Sequence, residues 1–218
     1  MLSILAPTVY RRPSPDDFAH LSLDAIAALC VPSIENLRLH QMYVAGPAGA
    51  EVGATPRGVY FCNCFFSPSA LAWALGDLHA TWLYFALCWV EGAAVPQCVP
   101  WSGVQTLIGR ACTDTMTQAL TYAVAHARAL VNVRLHAINA PAHLYLEKFR
   151  GPATIEKLKL RFANPADPVS HDAAVRNIVQ QFPNLQTLVL GAYDLTESAA
   201  TMLGTLAHLR TLVLKDTL

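Results

Sequence analysis

Four groups of side chains in this sequence could do chemistry, and each would need its own surroundings. The thiols of Cys62 and Cys64 are separated by one residue, and Cys64, Cys88 and Cys112 fall at intervals of 24. Zinc sites built from cysteine use two tight pairs divided by a loop, and here there is one pair. A regularly spaced thiol inside a fold acts instead as a small hydrophobe and weak donor to backbone. That is the role expected of Cys64, Cys88 and Cys112, with Cys62 facing the other way. Of the eight histidines, His40 and His136 occupy equivalent places, but no acid stands beside either to make an acid–base pair. No G-x-S-x-G, H-E-x-x-H or phosphate-loop pattern is present. The glycine-rich Gly46-Pro47-Ala48-Gly49-Ala50 lacks the lysine of a phosphate loop and reads as a plain connection. The reading is therefore of no catalytic residues, no metal site and no cofactor. The remaining groups are a basic strip, Arg134, Lys157, Lys159 and Arg161, and an aromatic cluster, Tyr60, Trp82 and Tyr84.

What would place these side chains together is a repeat. Leu185-Gln186-Thr187-Leu188-Val189-Leu190 is echoed by Leu209-Arg210-Thr211-Leu212-Val213-Leu214, 24 residues on. Self-similarity at that period is the mark of a repeat architecture. Aligned on apolar-x-x-apolar-x-apolar, the centres are Leu37, Val59, Leu83, Leu107, Val133, Leu158, Leu188 and Leu212. Five residues after them stand Met42, Cys64, Cys88, Cys112, Ile138, Ala163, Tyr193 and Thr217. Pro56 and Gly109 stand where an aliphatic side chain is expected. Each unit is read as a short strand followed by a returning segment. Helices are expected over 70–78 behind Ser67-Pro68-Ser69 and over 115–127 behind Thr113-Asp114. Two more are expected, from Ser170 or His171 to Gln181 and from Thr196-Glu197 to about Leu206. Another helix is expected from about Pro15 to Leu29, with Phe18, Leu21, Ala25 and Leu29 on one stripe.

The pattern resembles that of the leucine-rich repeat family, L-x-x-L-x-L-x-x-N/C-x-L, over roughly residues 30–218. Repeat lengths of about 24–30 with helices resemble the ribonuclease-inhibitor-like and cysteine-containing branches, the second of which includes F-box-associated proteins. The resemblance implies an α/β solenoid, or horseshoe, with a parallel sheet on the concave face and helices on the convex face. Residues 1–33 would form an N-terminal strand/helix cap or partial repeat, and 34–218 about eight repeats. The last repeat lacks a polar cap, which predicts further repeats or another chain packed on that end.

Composition bounds the functions open to such a chain. It has 218 residues, 54% hydrophobic and 14% charged, and zero formal net charge. No whole-molecule field draws it to nucleic acid or membrane. The apolar run 69–90 has almost the length of a membrane span, but Gly76, Asp77 and His79 interrupt it, so it reads as a buried helix followed by a strand. Arg11 and Arg12 follow the apolar start of the chain, the wrong order for a signal peptide. Six scattered cysteines suggest reduced thiols in cytoplasm or nucleus.

Residues between the inward apolars of each strand point to the opposite face. In chain order they include Arg38, His40, Tyr60, Cys62, Trp82, Tyr84, Arg110, Arg134, His136, Lys157, Lys159 and Arg161. None of the outward positions is Asp or Glu, although the chain carries 15 acidic residues. Two readings stand at this point. The basic residues simply keep the inner face solvated, or Arg38, His40, Arg110, Arg134, His136 and the 157–161 strip join Tyr60, Trp82 and Tyr84 in binding a partner. On the second reading the chain is a non-catalytic scaffold for an acidic protein, with nucleic acid stacked on Trp82 or Tyr84 less favoured. The alternative function is a substrate-receptor fragment of an F-box-type ubiquitin ligase.

Overall fold

Eight strands lie side by side, all parallel, in the order of the chain. The computed structural model describes residues 14–46, 52–54, 56–92, 100, 102–139, 142–162, 172–191 and 196–215. After a short 3-10 turn at Pro15–Asp17 come β1 (Ala19–Ser22), α1 (Leu23–Leu29), β2 (Asn36–His40) and β3 (Met42–Ala45). Then follow β4 (Gly58–Cys62), β5 (Phe65–Phe66), α2 (Pro68–Gly76), β6 (Trp82–Ala86) and β7 (Trp89–Val90). The rest are β8 (Thr106–Arg110), α3 (Asp114–His126), β9 (Asn132–Ile138), α4 (Ala142–Lys148) and β10 (Lys157–Phe162). The described chain closes with α5 (Asp172–Gln181), β11 (Thr187–Gly191), α6 (Glu197–Leu203) and β12 (Thr211–Lys215).

The large sheet runs β2-β4-β6-β8-β9-β10-β11-β12. Its pairing joins Leu37, Val59, Leu83, Leu107, Val133, Leu158, Leu188 and Leu212 in one continuous row. The register therefore follows the eight repeat centres without a slip. A one-residue slip would turn every side chain to the other face. Most of these centres are buried, and Val59, Val133, Leu158 and Leu188 are sealed completely. Leu212, expected as a core anchor, is instead 40% exposed, because β12 is the last described strand and nothing described packs beyond it.

A second parallel sheet, β1-β3-β5-β7, is made of β1 and the short strands that follow β2, β4 and β6. No periodicity announces it, since two of its strands, Phe65–Phe66 and Trp89–Val90, are too short to show a period. It also corrects the first helix. Residues 19–22 pair with β3, and the helix starts only at Leu23, where the Ser22 side chain accepts a hydrogen bond from Ala25 N–H. Helices α2, α3 and α6 begin within two residues of the expected starts, with Ser67, Thr113 and Thr196 each accepting from the backbone N–H three residues on. Helix α4 was not expected. Its C-terminal carbonyls at Leu146 and Phe149 accept from Asn177 Nδ2 on α5 at 2.7 and 2.9 Å.

The run 69–90 divides into α2, β6 and β7, and among the described residues no helix is long and apolar enough to cross a membrane. The loop at 47–50, the positions Ala163, Tyr193 and Thr217, and the chain ends lie outside the described residues.

A basic and aromatic sheet face

The face of the large sheet turned away from the helices is organised in three rows. Pairing sets Asn36, Gly58, Trp82, Thr106, Asn132, Lys157, Thr187 and Thr211 across the strands as the first row. Arg38, Tyr60, Tyr84, Ile108, Arg134, Lys159, Val189 and Val213 make the second. The third runs His40, Cys62, Ala86, Arg110, His136 and Arg161. Neighbours within a row stand about 4.8 Å apart, and rows about 6.6 Å apart, by strand geometry.

Two contiguous patches result. On β2, β4 and β6, the Arg38 guanidinium lies 5.1 Å from the Tyr60 ring centre, and Tyr60 meets Tyr84 at 5.8 Å. Trp82 beside them is 46% exposed. Gly58 makes this arrangement fit, since a Cβ there would come within 2.6 Å of Asn36 Oδ1 and 3.2 Å of the Tyr60 ring. On β8, β9 and β10, Arg110, Arg134, His136, Lys157, Lys159 and Arg161 form the second patch. Lys159 is the register partner of Arg134, so two cations stand side by side, an arrangement that costs stability locally. Arg134 Nε donates to Asn132 Oδ1 at 3.3 Å. His40 does not join His136. The two share a row but are separated by four strand spacings, about 19 Å.

Not every outward position is open. Thr106 and Val189 are buried, as are Gly58 and Gly191, so the face narrows to the residues between and around them. At Gly191 a Cβ would sit 3.3 Å from the Arg161 backbone.

His136 has an unusual electrostatic setting. Burial, and then Arg161, Arg110, Arg134 and Lys159, hold its imidazole below the ordinary value of 6.5, down to about 4. The ring is neutral at pH 7, and its Nε2 is enclosed without a hydrogen-bond partner.

The cysteines fall where the repeat requires. Cys64 donates to Leu39 O at 3.5 Å, Cys88 to Phe61 O at 3.4 Å and Cys112 to Phe85 O at 3.6 Å. Each thiol thus ties its turn to the preceding strand. Burial pushes the Cys112 thiol up to about 11 and Cys88 well above the ordinary 9, so neither is a ready thiolate. Cys62, on the outer face, is only partly exposed, and its thiol is also raised by burial. Among the described residues no three His, Cys, Asp or Glu side chains converge as metal ligands.

One backbone signature escaped sequence reading. Gln41, Asn63, Leu87, Ala111 and Ala137 all adopt left-handed φ, from 50° to 62°. Each occupies the same place, directly after the third-row residue; at the first four the chain leaves the large sheet, and at Ala137 the register shifts within β9. Only Asn63 is a residue type that favours this conformation, so the others gave no signal.

No protein-family model matches the chain, and no curated protein matches it in sequence.

Proposed function

We propose that this protein is a leucine-rich-repeat solenoid acting as a non-catalytic scaffold, binding an acidic protein on the concave face of its large sheet. The observation that carries the reading is the charge of that face. Its described outward positions hold Arg38, Arg110, Arg134, Lys157, Lys159 and Arg161 and no carboxylate, in a chain with zero formal net charge. Arginine and exposed aromatics are the side chains over-represented at binding hot spots, and Arg38, Tyr60, Trp82 and Tyr84 supply both beside the basic patch. The unslipped register of eight parallel strands and the thiol-to-carbonyl ladder support the repeat assignment. Five described cysteines are free thiols, which suits a cytoplasmic or nuclear setting.

The same cysteine ladder favours a second reading, a substrate receptor of an F-box-type ubiquitin ligase. It predicts co-purification with a ligase adaptor from cells expressing the whole gene.

The test of the primary reading is the triple variant Lys157→Glu, Lys159→Glu, Arg161→Glu. Proteins retained by the wild-type chain at low salt, and released by raised salt, should be lost from this variant. The captured set should be rich in acidic segments. Retention of the same set by the variant, with unchanged salt dependence, would show that the partner binds elsewhere.

A further inference from the structure

The patch on β8, β9 and β10 is more specific than a general attraction for acids. Arg110 and Arg161 are the register partners of His136 on either side, and Arg134 and Lys159 stand one row away. Four cations therefore surround one neutral imidazole whose Nε2 lacks a partner. Neither Arg110 nor Arg161 meets a carboxylate among the described residues, and both are exposed.

We propose that Arg110, Arg134, Lys159 and Arg161 form, around His136, a subsite for a phosphate monoester carried by the partner as a phosphorylated side chain. This deepens the reading above and rests on it. A phosphate monoester brings a charge of about −1.5 to −2 at neutral pH and three strong acceptor oxygens. One carboxylate has a single charge and is satisfied by one guanidinium fork, so it would leave one of the two exposed arginines, Arg110 and Arg161, uncompensated. Rows about 4.8 by 6.6 Å in spacing let long side chains from three strands close on one tetrahedral group. Arg134, tethered through Nε to Asn132, still has its terminal nitrogens as donors.

The imidazole gives the subsite a proton-linked response. Its facing charges are Arg110 from β8, Arg134 from its own strand, and Lys159 and Arg161 from β10. On the opposite side α3 packs under β9, and its Asp114 accepts from Asn139 beyond the strand's end. A bound dianion offsets the four cations, so His136 takes a proton from solvent and gains an acceptor for an N–H.

The experiment titrates O-phospho-L-serine, and separately L-glutamate, into the full chain and follows the His136 ring and arginine side chains by NMR. Phosphoserine should perturb His136, Arg110 and Arg161 saturably, with an affinity about tenfold or more above that of glutamate, a difference of about 1.4 kcal/mol. At saturation the His136 titration midpoint should move upward. Arg110→Gln with Arg161→Gln, both exposed positions, should remove the saturable response. His136→Gln should weaken phosphoserine binding by removing the imidazolium N–H, and should abolish the proton uptake that His136 contributes, read by calorimetry in two buffers. Equal affinity for glutamate, or an unmoved His136 midpoint at saturation, would overturn the subsite. So would tighter binding of single-stranded oligouridylate with shifts centred on Trp82 and Tyr84, which would assign the face to nucleic acid. If phosphoserine fails while the triple Glu variant still loses its acidic partners, only the subsite falls. If capture is also unaffected, the broader reading falls with it.

Discussion

His136 and Leu87 show how much a single residue can hide. The sequence places His136 on an outward strand position and shows that no acid accompanies it. It does not show that Nε2 is enclosed, because that depends on how side chains from neighbouring strands lie. The consequence is a pH dependence of stability. The folded ring binds its proton only near pH 4, against an ordinary value of 6.5, so the unfolded chain holds the proton more readily. His136 therefore costs nothing above pH 6.5 and destabilises the fold progressively as pH falls from there toward 4. Solvent around the half-buried ring screens the repulsion, so the loss is on the order of 1 kcal/mol. Urea denaturation of wild type and His136→Gln should coincide at pH 8 and diverge by that amount near pH 4, the variant being the more stable. Leu87 makes a different kind of cost visible. It holds a left-handed φ of 52° with its side chain 52% exposed, so it contributes little burial for the strain. Leu87→Asn, the residue type found at the equivalent Asn63, should raise stability by up to about 1 kcal/mol in the same assay.

At the scale of elements, the long-period pattern was legible and the short pieces were not. Eight strand centres and three helix caps could be placed because apolar alternation and Ser or Thr caps are local signals. The second sheet could not, because pairs such as Phe65–Phe66 acquire strand geometry only by lying beside β3 and β7. Gly109 is a position where the repeat pattern fails for a packing reason. It lies between Phe85 and Leu135, and a Cβ there would come within 2.7 Å of Leu120 Cδ1. Gly109→Val should restore the repeat consensus yet destabilise by about 1–3 kcal/mol through overpacking. The edge of the sheet supplies the complementary case. Leu188→Ala, at a sealed position, should cost about 2–5 kcal/mol, and Leu212→Ala clearly less, since Leu212 already meets solvent. Thermal unfolding of the two variants would measure the gap. Equal losses would mean that β12 is covered in solution.

Over the whole molecule, where a charge sits counts for more than how many charges there are. Formal net charge is zero, so a partner far away feels almost no field, and attraction appears only within about a Debye length of the basic face, about 10 Å at 0.1 M salt. That makes the position of a substitution separable from its effect on net charge. The triple variant Lys157→Glu, Lys159→Glu, Arg161→Glu can be matched by Arg57→Glu, Arg128→Glu, Arg176→Glu. The three control arginines are exposed and lie outside the strands of the face. Both variants change net charge by the same amount. If the face steers an acidic partner, stopped-flow association at low salt should slow by about tenfold or more for the first variant and only slightly for the second. Raising the salt should bring wild type down toward the first variant, because screening removes the same local field that the substitutions remove. Equal slowing by both variants would instead mean that net charge alone governs encounter, and the absence of carboxylates from the sheet face would then be a matter of solvation only.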